Sequence, residues 1–428
     1  MEKIERDRII RLIKREVVPA IGCTEPIAVA LCVSEAAHLL EKKPEKISLF
    51  LSANILKNAM GVGIPGTGMI GLPIAVALGA LAGNPAYELE VLKDVVPEDV
   101  ERGKQYIAEE RIDIQLKKDI PEKLYIEVTV SSGNDYATAI IAGGHTTFVY
   151  KERCGQVLLD KRTPSTEEAQ DEKLPLTLRK VYDFAMTAPL DEISFILESA
   201  RLNKAAAEAS FKGDYGHSLG KSLQDDNERR IMGDSVFSHI LSCTSGACDA
   251  RMAGAMIPVM SNSGSGNQGI AAILPVVVYA EENRKSREEL IRALVLSHLT
   301  VIYIKQDLGR LSAICGCVVA ATGSSCGITY LMGGAYEEVT YAVKNMIATL
   351  TGMVCDGAKP SCALKLTSGV STALFSAMLA MEHKCVTAVE GIIEDDVDRT
   401  IHNLTRIGSQ GMNETDRLIL DIMTHKCP

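Results

Sequence analysis

The pattern of apolar and polar positions changes character along the chain. Residues 1–16 repeat apolar side chains at helical spacing, Pro19 and Gly22 break the pattern, and a second helical run extends from Thr24 to about Glu41. Strict alternation follows in Lys46–Ala53 and Leu124–Ser131, the sign of half-buried strands. Tyr136–Ala142 and Thr146–Lys151 read as two more strands separated by Gly143 and Gly144. A polar, charge-rich stretch over 151–178 predicts a surface connection. From about Leu176 helical periodicity takes over, with helices expected near 178–186, 191–212, 218–242, 287–304, 338–353, 361–383 and 413–424 and no strand. The expectation is an α+β N-terminal domain over 1–165 and a larger all-α C-terminal domain over 176–428.

Composition agrees. Of 428 residues, 46% are hydrophobic but only 4% aromatic, with no Trp, which suits close helix–helix packing. The length favours two domains. A net charge of −10 without a basic stripe excludes a nucleic-acid partner. The charged start Met1–Arg8 carries no apolar leader core, so twelve cysteines are expected as reduced thiols, metal ligands or core residues of a cytoplasmic protein. Leu311–Ala335 has no charge, but its five glycines and three cysteines point to a buried helix or helix pair, and no membrane partner is expected. The large apolar fraction makes a homodimer plausible.

Four segments carry candidate chemistry. Cys23, in Gly22-Cys-Thr-Glu-Pro26, precedes a helix start with Thr24 as its expected N-cap; the free N–H groups there favour a thiolate and a reactive thiol, against the alternative of a small residue in a tight turn. Asn54–Gly71, with five glycines around Pro65 and Thr67, is either a nest for a carboxylate or a flexible turn. Ser261–Gly269 (SNSGSGNQG) is a polar run with apolar flanks, so its Ser, Asn and Gln side chains need buried partners that a polar substrate supplies. Cys355 and Cys362 share a Gly/Pro-bearing loop, and Cys315 or Cys317, with Cys326 in reserve, offers a third thiol. Soft thiolates select zinc, copper(I) or an iron–sulfur cluster, and the absence of any C-x2-C pair argues against structural zinc; buried structural cysteines are the alternative. Ser361 is the expected N-cap beside Cys362, with Lys359 nearby to favour its thiolate. Arg310 is a candidate for a substrate carboxylate or for Asp307, and Cys427 for a temporary fourth ligand. His145 and His298 read as satisfied core or surface residues.

Taken together, GCTEP, PGTGMIGLPIA, SNSGSGNQG and GMVCDGAKPSC resemble the L-cysteine desulfidases of the serine dehydratase α-chain-like group, from Glu16 to about Arg417. The helical half is similar to the α chain of iron–sulfur L-serine dehydratases. That resemblance implies a carbon–sulfur lyase with a [4Fe–4S] cluster on Cys315, Cys355 and Cys362, and Cys23 as the acid/base thiol. It further implies that Thr67, Ser263, Ser265, Asn267 and Gln268 hold a small amino-acid substrate. The activity so implied is elimination of L-cysteine to sulfide, ammonia and pyruvate; L-serine dehydration on the same cluster and a non-enzymatic helical protein are the rivals.

Overall fold

A computed structural model describes residues 1–118, 120, 122–162, 174–225, 230–309 and 311–426. Arg310, Cys427 and residues 163–173 of the expected surface connection lie outside the described residues. The protein is a mixed α/β chain. Its strands are β1 (Pro19–Ile21), β2 (Lys46–Leu51), β3 (Ile112–Leu116), β4 (Tyr125–Ser132), β5 (Asp135–Ala142), β6 (Phe148–Arg153), β7 (Gln156–Asp160) and β8 (Pro258–Met260).

Six strands form one sheet in the order β3-β2-β4-β5-β6-β7, with only the β2–β3 pair parallel. A parallel pair needs a crossover, which residues 53–108 supply through the helices Ala53–Ala59, Leu72–Leu81 and Pro97–Ala108. Alternation puts Ile47, Leu49 and Leu51 of β2 on one wholly buried face. Opposite them, Ile126, Val128 and Val130 of β4 share an apolar cluster with the Thr24–Leu40 helix. The four expected strands are present. β3 was not read from the sequence because its apolar side is thinly buried, and β7 lies inside the stretch read as surface connection.

Beyond residue 174 the Gly316–Leu331 helix is the hub. It packs against the helices Gly266–Glu282, Arg287–Leu308, Tyr336–Leu350 and Cys362–Met381. Small residues permit this closeness: a Cβ on Gly323 would lie 2.5 Å from the carbonyl oxygen of Ser297. The uncharged stretch is thus a core helix, as expected. Among the described residues one helix, Cys362–Met381, is long and apolar enough to cross a membrane, and half of it is buried within the protein. The expected 218–242 helix is instead a short turn at Leu219–Ser222 and a helix over Val236–Met252.

Two features depart from the sequence reading and position the site. Ile9, Leu12 and Ile13 of the first helix (Lys3–Glu16), and Cys23 itself, belong to the apolar cluster of the helices after 174 rather than to that of the sheet. The three-residue β8, in a region where no strand was expected, pairs antiparallel with β1, Pro19 opposite Met260. This small ladder fixes the N-terminal segment onto the helical part and delivers Cys23 beside the Ser261–Gly269 run.

Candidate active site

Four helix starts border one cavity of about 100 Å³. Cys23 is the N-cap of the Thr24–Leu40 helix, Ser265 that of Gly266–Glu282 and Cys315 that of Gly316–Leu331, while Cys362 opens Cys362–Met381; all four line the cavity. Helix N-termini carry partial positive charge and unpaired N–H groups, so their convergence favours anionic groups inside. Arg251, Lys305 and Lys365 add cationic side chains to the same walls.

The thiols arrive by backbone pairing. Ile314 and Val354 form an antiparallel bridge, with the Cys315 N–H donating to the Met353 carbonyl (2.9 Å) and the Cys355 N–H to the Ala313 carbonyl (2.7 Å). Gly357, in the left-handed region (φ +86°), brings the loop against the Lys57 carbonyl, where any Cβ would sit 2.3 Å from that oxygen. Lys365 Nζ donates to the Val354 carbonyl (2.8 Å) and pairs with Asp356, which also pairs with Lys359 (2.5 Å). Cys315, Cys355 and Cys362 all face the cavity. Cys317 also borders it, but its thiol donates to the Lys365 carbonyl (3.2 Å) and packs against Gly369. Cys326 does not border it.

Burial decides the protonation of these thiols. It pushes Cys315 up to about 12, aided by the neighbouring Cys355 and Cys362. Cys362 is raised by burial against the opposing pull of the Lys359 N–H and ammonium. Cys23 is raised well above the ordinary thiol value by burial first and then by the Glu25 charge. The expectation of helix-start thiolates at Cys23 and Cys362 is therefore corrected: in so dry a site desolvation outweighs the helix end. A bound metal would reverse this, because coordination deprotonates a thiol outright.

Cys23 Sγ donates to Glu25 Oε2 (2.9 Å). Glu25 also accepts from Asn58 Nδ2 (3.1 Å) and from Thr24 Oγ1 (3.1 Å), which is the first helical residue and not the cap. Burial works to raise the Glu25 carboxyl, but the His145 charge and the Cys23 bond pull it below its ordinary value. A neutral thiol thus faces an ionised carboxylate.

The polar run divides. Ser265, Asn267 and Gln268 line the cavity. Asn267 Oδ1 accepts from Arg251 Nη1 (2.9 Å), and both Arg251 Nε and Gln268 Oε1 are buried with no hydrogen-bond partner. Ser263 is turned away: its hydroxyl donates to Asn262 Oδ1 (2.8 Å), and Asn262 Nδ2 donates to His298 Nδ1 (2.9 Å). Thr67 is not at the cavity either. Its hydroxyl donates to the Ile64 carbonyl (2.8 Å) and accepts from the Met69 N–H (3.0 Å), so it closes its own turn. Gly63 in the same loop serves contact with the helical part: a Cβ there would lie 2.3 Å from the Ala253 carbonyl carbon. Glu25, Asn58, Arg251 and Lys365 were missed as site residues. Arg251 alone carried a signal, a cation near the end of a helix rich in small residues.

The donor set can be tested against a metal group. Among the described residues, no three His, Cys, Asp or Glu side chains gather into a group fit for a single ion. Three thiols set around a shared cavity fit a cubane better, since each would bind a different iron. The cationic Lys365 and the helix starts suit its thiolate charge.

This chain belongs to the family described as serine dehydratase alpha chain, which it matches over residues 86–421. Within that class it is similar to UPF0597 proteins along its whole length. One from Bacteroides fragilis is 75% identical over 426 residues, covering 100% of both chains. Others are from Parabacteroides distasonis (62%, 100% of both) and Aeromonas hydrophila (44%, 97% of this chain and 96% of the relative). Membership points to a lyase-type enzyme.

Proposed function

We propose that the protein is an L-cysteine desulfidase, eliminating sulfide from L-cysteine with a [4Fe–4S] cluster on Cys315, Cys355 and Cys362, in a reducing compartment such as the cytoplasm. The observation that carries this reading is the shared cavity: the three thiols, the Cys23–Glu25 pair and two unpartnered polar atoms of opposite kind all border it. When bound, the cluster supplies a Lewis-acidic iron that neutralises charge on the departing group or on the substrate carboxylate.

The chain's own residues do the rest. Arg251 Nε, a buried donor, takes the α-carboxylate, and Gln268 Oε1, a buried acceptor, takes the α-ammonium; both lack any other partner. Asn267 holds the guanidinium in place. Ser265 Oγ caps its helix at the Gln268 N–H (3.4 Å), fixing the Gln268 backbone. Cys23 passes its proton to Glu25, and the resulting thiolate removes the proton from the substrate α-carbon. The Cα–H electron pair forms the Cα–Cβ double bond as the Cβ–S bond breaks, and released 2-aminoacrylate hydrolyses to pyruvate and ammonia.

The family description favours a second substrate, L-serine, which loses water by the same elimination. Soft iron favours the thiolate leaving group. Anaerobically reconstituted protein given each amino acid separately decides the matter. Sulfide with equimolar pyruvate from cysteine is the expected result; pyruvate from serine alone makes the enzyme a dehydratase.

A further inference from the structure

The helix Cys362–Met381 turns an apolar face to solvent. Leu364 (53%), Phe375 (53%), Met378 (52%) and Leu379 (44%) stand exposed along it. Leu364, Ser368, Ser371, Phe375 and Met378 recur at intervals of four and three residues, so they form one seam. No charged residue stands between Lys365 and Glu382 in the sequence. The hydroxyls along the seam are turned inward: Ser368 donates to the Leu364 carbonyl (3.0 Å), Ser371 to that of Thr367 (2.7 Å) and Thr372 to that of Ser368 (3.0 Å). Such back-bonding leaves the hydroxyl protons with no call on water. Phe237 stacks on Phe375 with ring centroids 5.5 Å apart and holds that ring in place. A contiguous apolar stripe of this kind marks a surface that is covered.

The seam is complementary to itself. Turned end for end about a point between Ser371 and Thr372, it sets Leu364 opposite Leu379, Ser368 opposite Phe375 and Ser371 opposite Thr372. Large side chains then meet at the ends or fill the space above a serine, and small ones meet at the axis, where the backbones approach. The charges agree as well. Glu382 falls opposite Ser361 at the start of the facing helix, where the helix dipole is positive. Half of four large side chains and the hydroxyl row between them cover roughly 500–600 Å² per copy, about 1,100 Å² in all, which is the low end for a specific interface. A membrane fits less well, because half of this helix is buried against the rest of the protein.

We propose that this face is the interface of a two-fold symmetric homodimer in which two Cys362–Met381 helices pair antiparallel. The same patch serves both copies, so the assembly closes at two. The inference needs neither the cluster nor the proposed reaction.

Sedimentation of the full chain over a concentration series is the test, with a monomer–dimer equilibrium expected to lie fully on the dimer side by about 100 μM. Phe375→Glu buries a charge in the seam and is expected to weaken association by about a hundredfold or more; Met378→Glu does the same where the first variant does not fold. Leu364→Cys combined with Leu379→Cys reads the register. The two positions lie about 22 Å apart on one helix, so they can join only between copies. A 364–379 disulfide is expected on mild oxidation, identified by peptide mapping. A monomer at every concentration overturns the interface, as does a dimer that both glutamate variants leave intact. Flotation of wild-type protein with phospholipid vesicles in place of self-association assigns the face to a membrane and overturns it too. A dimer without the 364–379 link overturns the antiparallel pairing.

Discussion

Cys315 and Cys355 each follow one residue of the antiparallel Ile314–Val354 bridge, and each donates its N–H to the carbonyl just before the bridge residue of the other segment, Met353 and Ala313 respectively. The helices Gly316–Leu331 and Tyr336–Leu350 lie between them in sequence, yet both cysteines line the same cavity. Replacing Cys315, Cys355 or Cys362 with Ala is expected to abolish cluster assembly, read as lost iron and acid-labile sulfide in protein purified without oxygen. Cys317→Ala is expected to keep the cluster. Loss of iron in Cys317→Ala with retention in Cys315→Ala would reverse the assignment.

Cys23→Ala is expected to retain iron and visible absorption at the wild-type level while turnover falls about a hundredfold or more. An unchanged rate removes Cys23 from the chemistry.

Arg251 and Gln268 should separate binding from chemistry. A hydrogen bond to a charged group contributes about 1.5–3 kcal/mol, so Gln268→Leu is expected to raise KM by about tenfold or more with a smaller change in kcat. Arg251→Gln is expected to act in the same direction and more strongly. A substrate analogue lacking the α-carboxylate should then bind wild type and Arg251→Gln alike in an anaerobic competition assay.

His298 fixes the polar run from below. Fully buried, it is pushed down to about 3 by desolvation, and its Nε2 lies 3.3 Å from the Ser199 hydroxyl while Nδ1 accepts from Asn262. The folded-state value lies below that of the unfolded chain, so the native state binds fewer protons under pH 6.5. The contribution of His298 is fully present above that pH and is lost as pH falls toward 3, at up to about 1.4 kcal/mol per unit. Denaturant midpoints at pH 7 and pH 5 should show this loss in the wild type and less of it in His298→Asn.

Gly323→Ala tests the close helix packing. The added methyl meets the Ser297 carbonyl at 2.5 Å, and overpacking of this kind costs about 1–3 kcal/mol. Thermal unfolding should shift down accordingly, with iron content at saturation unchanged.

Much of the architecture was legible because periodicity reflects burial. β2 and β4 alternate along their length and the Thr24 helix is a long apolar run buried on nearly every side, whereas β3 and β7 bury little and so leave little trace. The motifs at Cys23, Ser261–Gly269, Cys315 and Cys355–Cys362 were recognisable as loop–helix junctions, since caps, Gly and Pro are local signals. Thr67 misled for the same reason. A glycine-rich loop looks alike whether its freedom serves a ligand or, as at Gly63, a close approach to another backbone.

What the chain determined by itself was the set of helix starts and the residue types standing at them. Only the tertiary structure decided that four of these starts face one another, through the β1–β8 ladder and the Ile314–Val354 bridge. It alone brought Glu25, Arg251 and Lys365 to the same space, because contacts between distant segments leave no period in the sequence. It also set the sign of the thiol shifts, since a helix end acts locally while desolvation depends on everything packed around it.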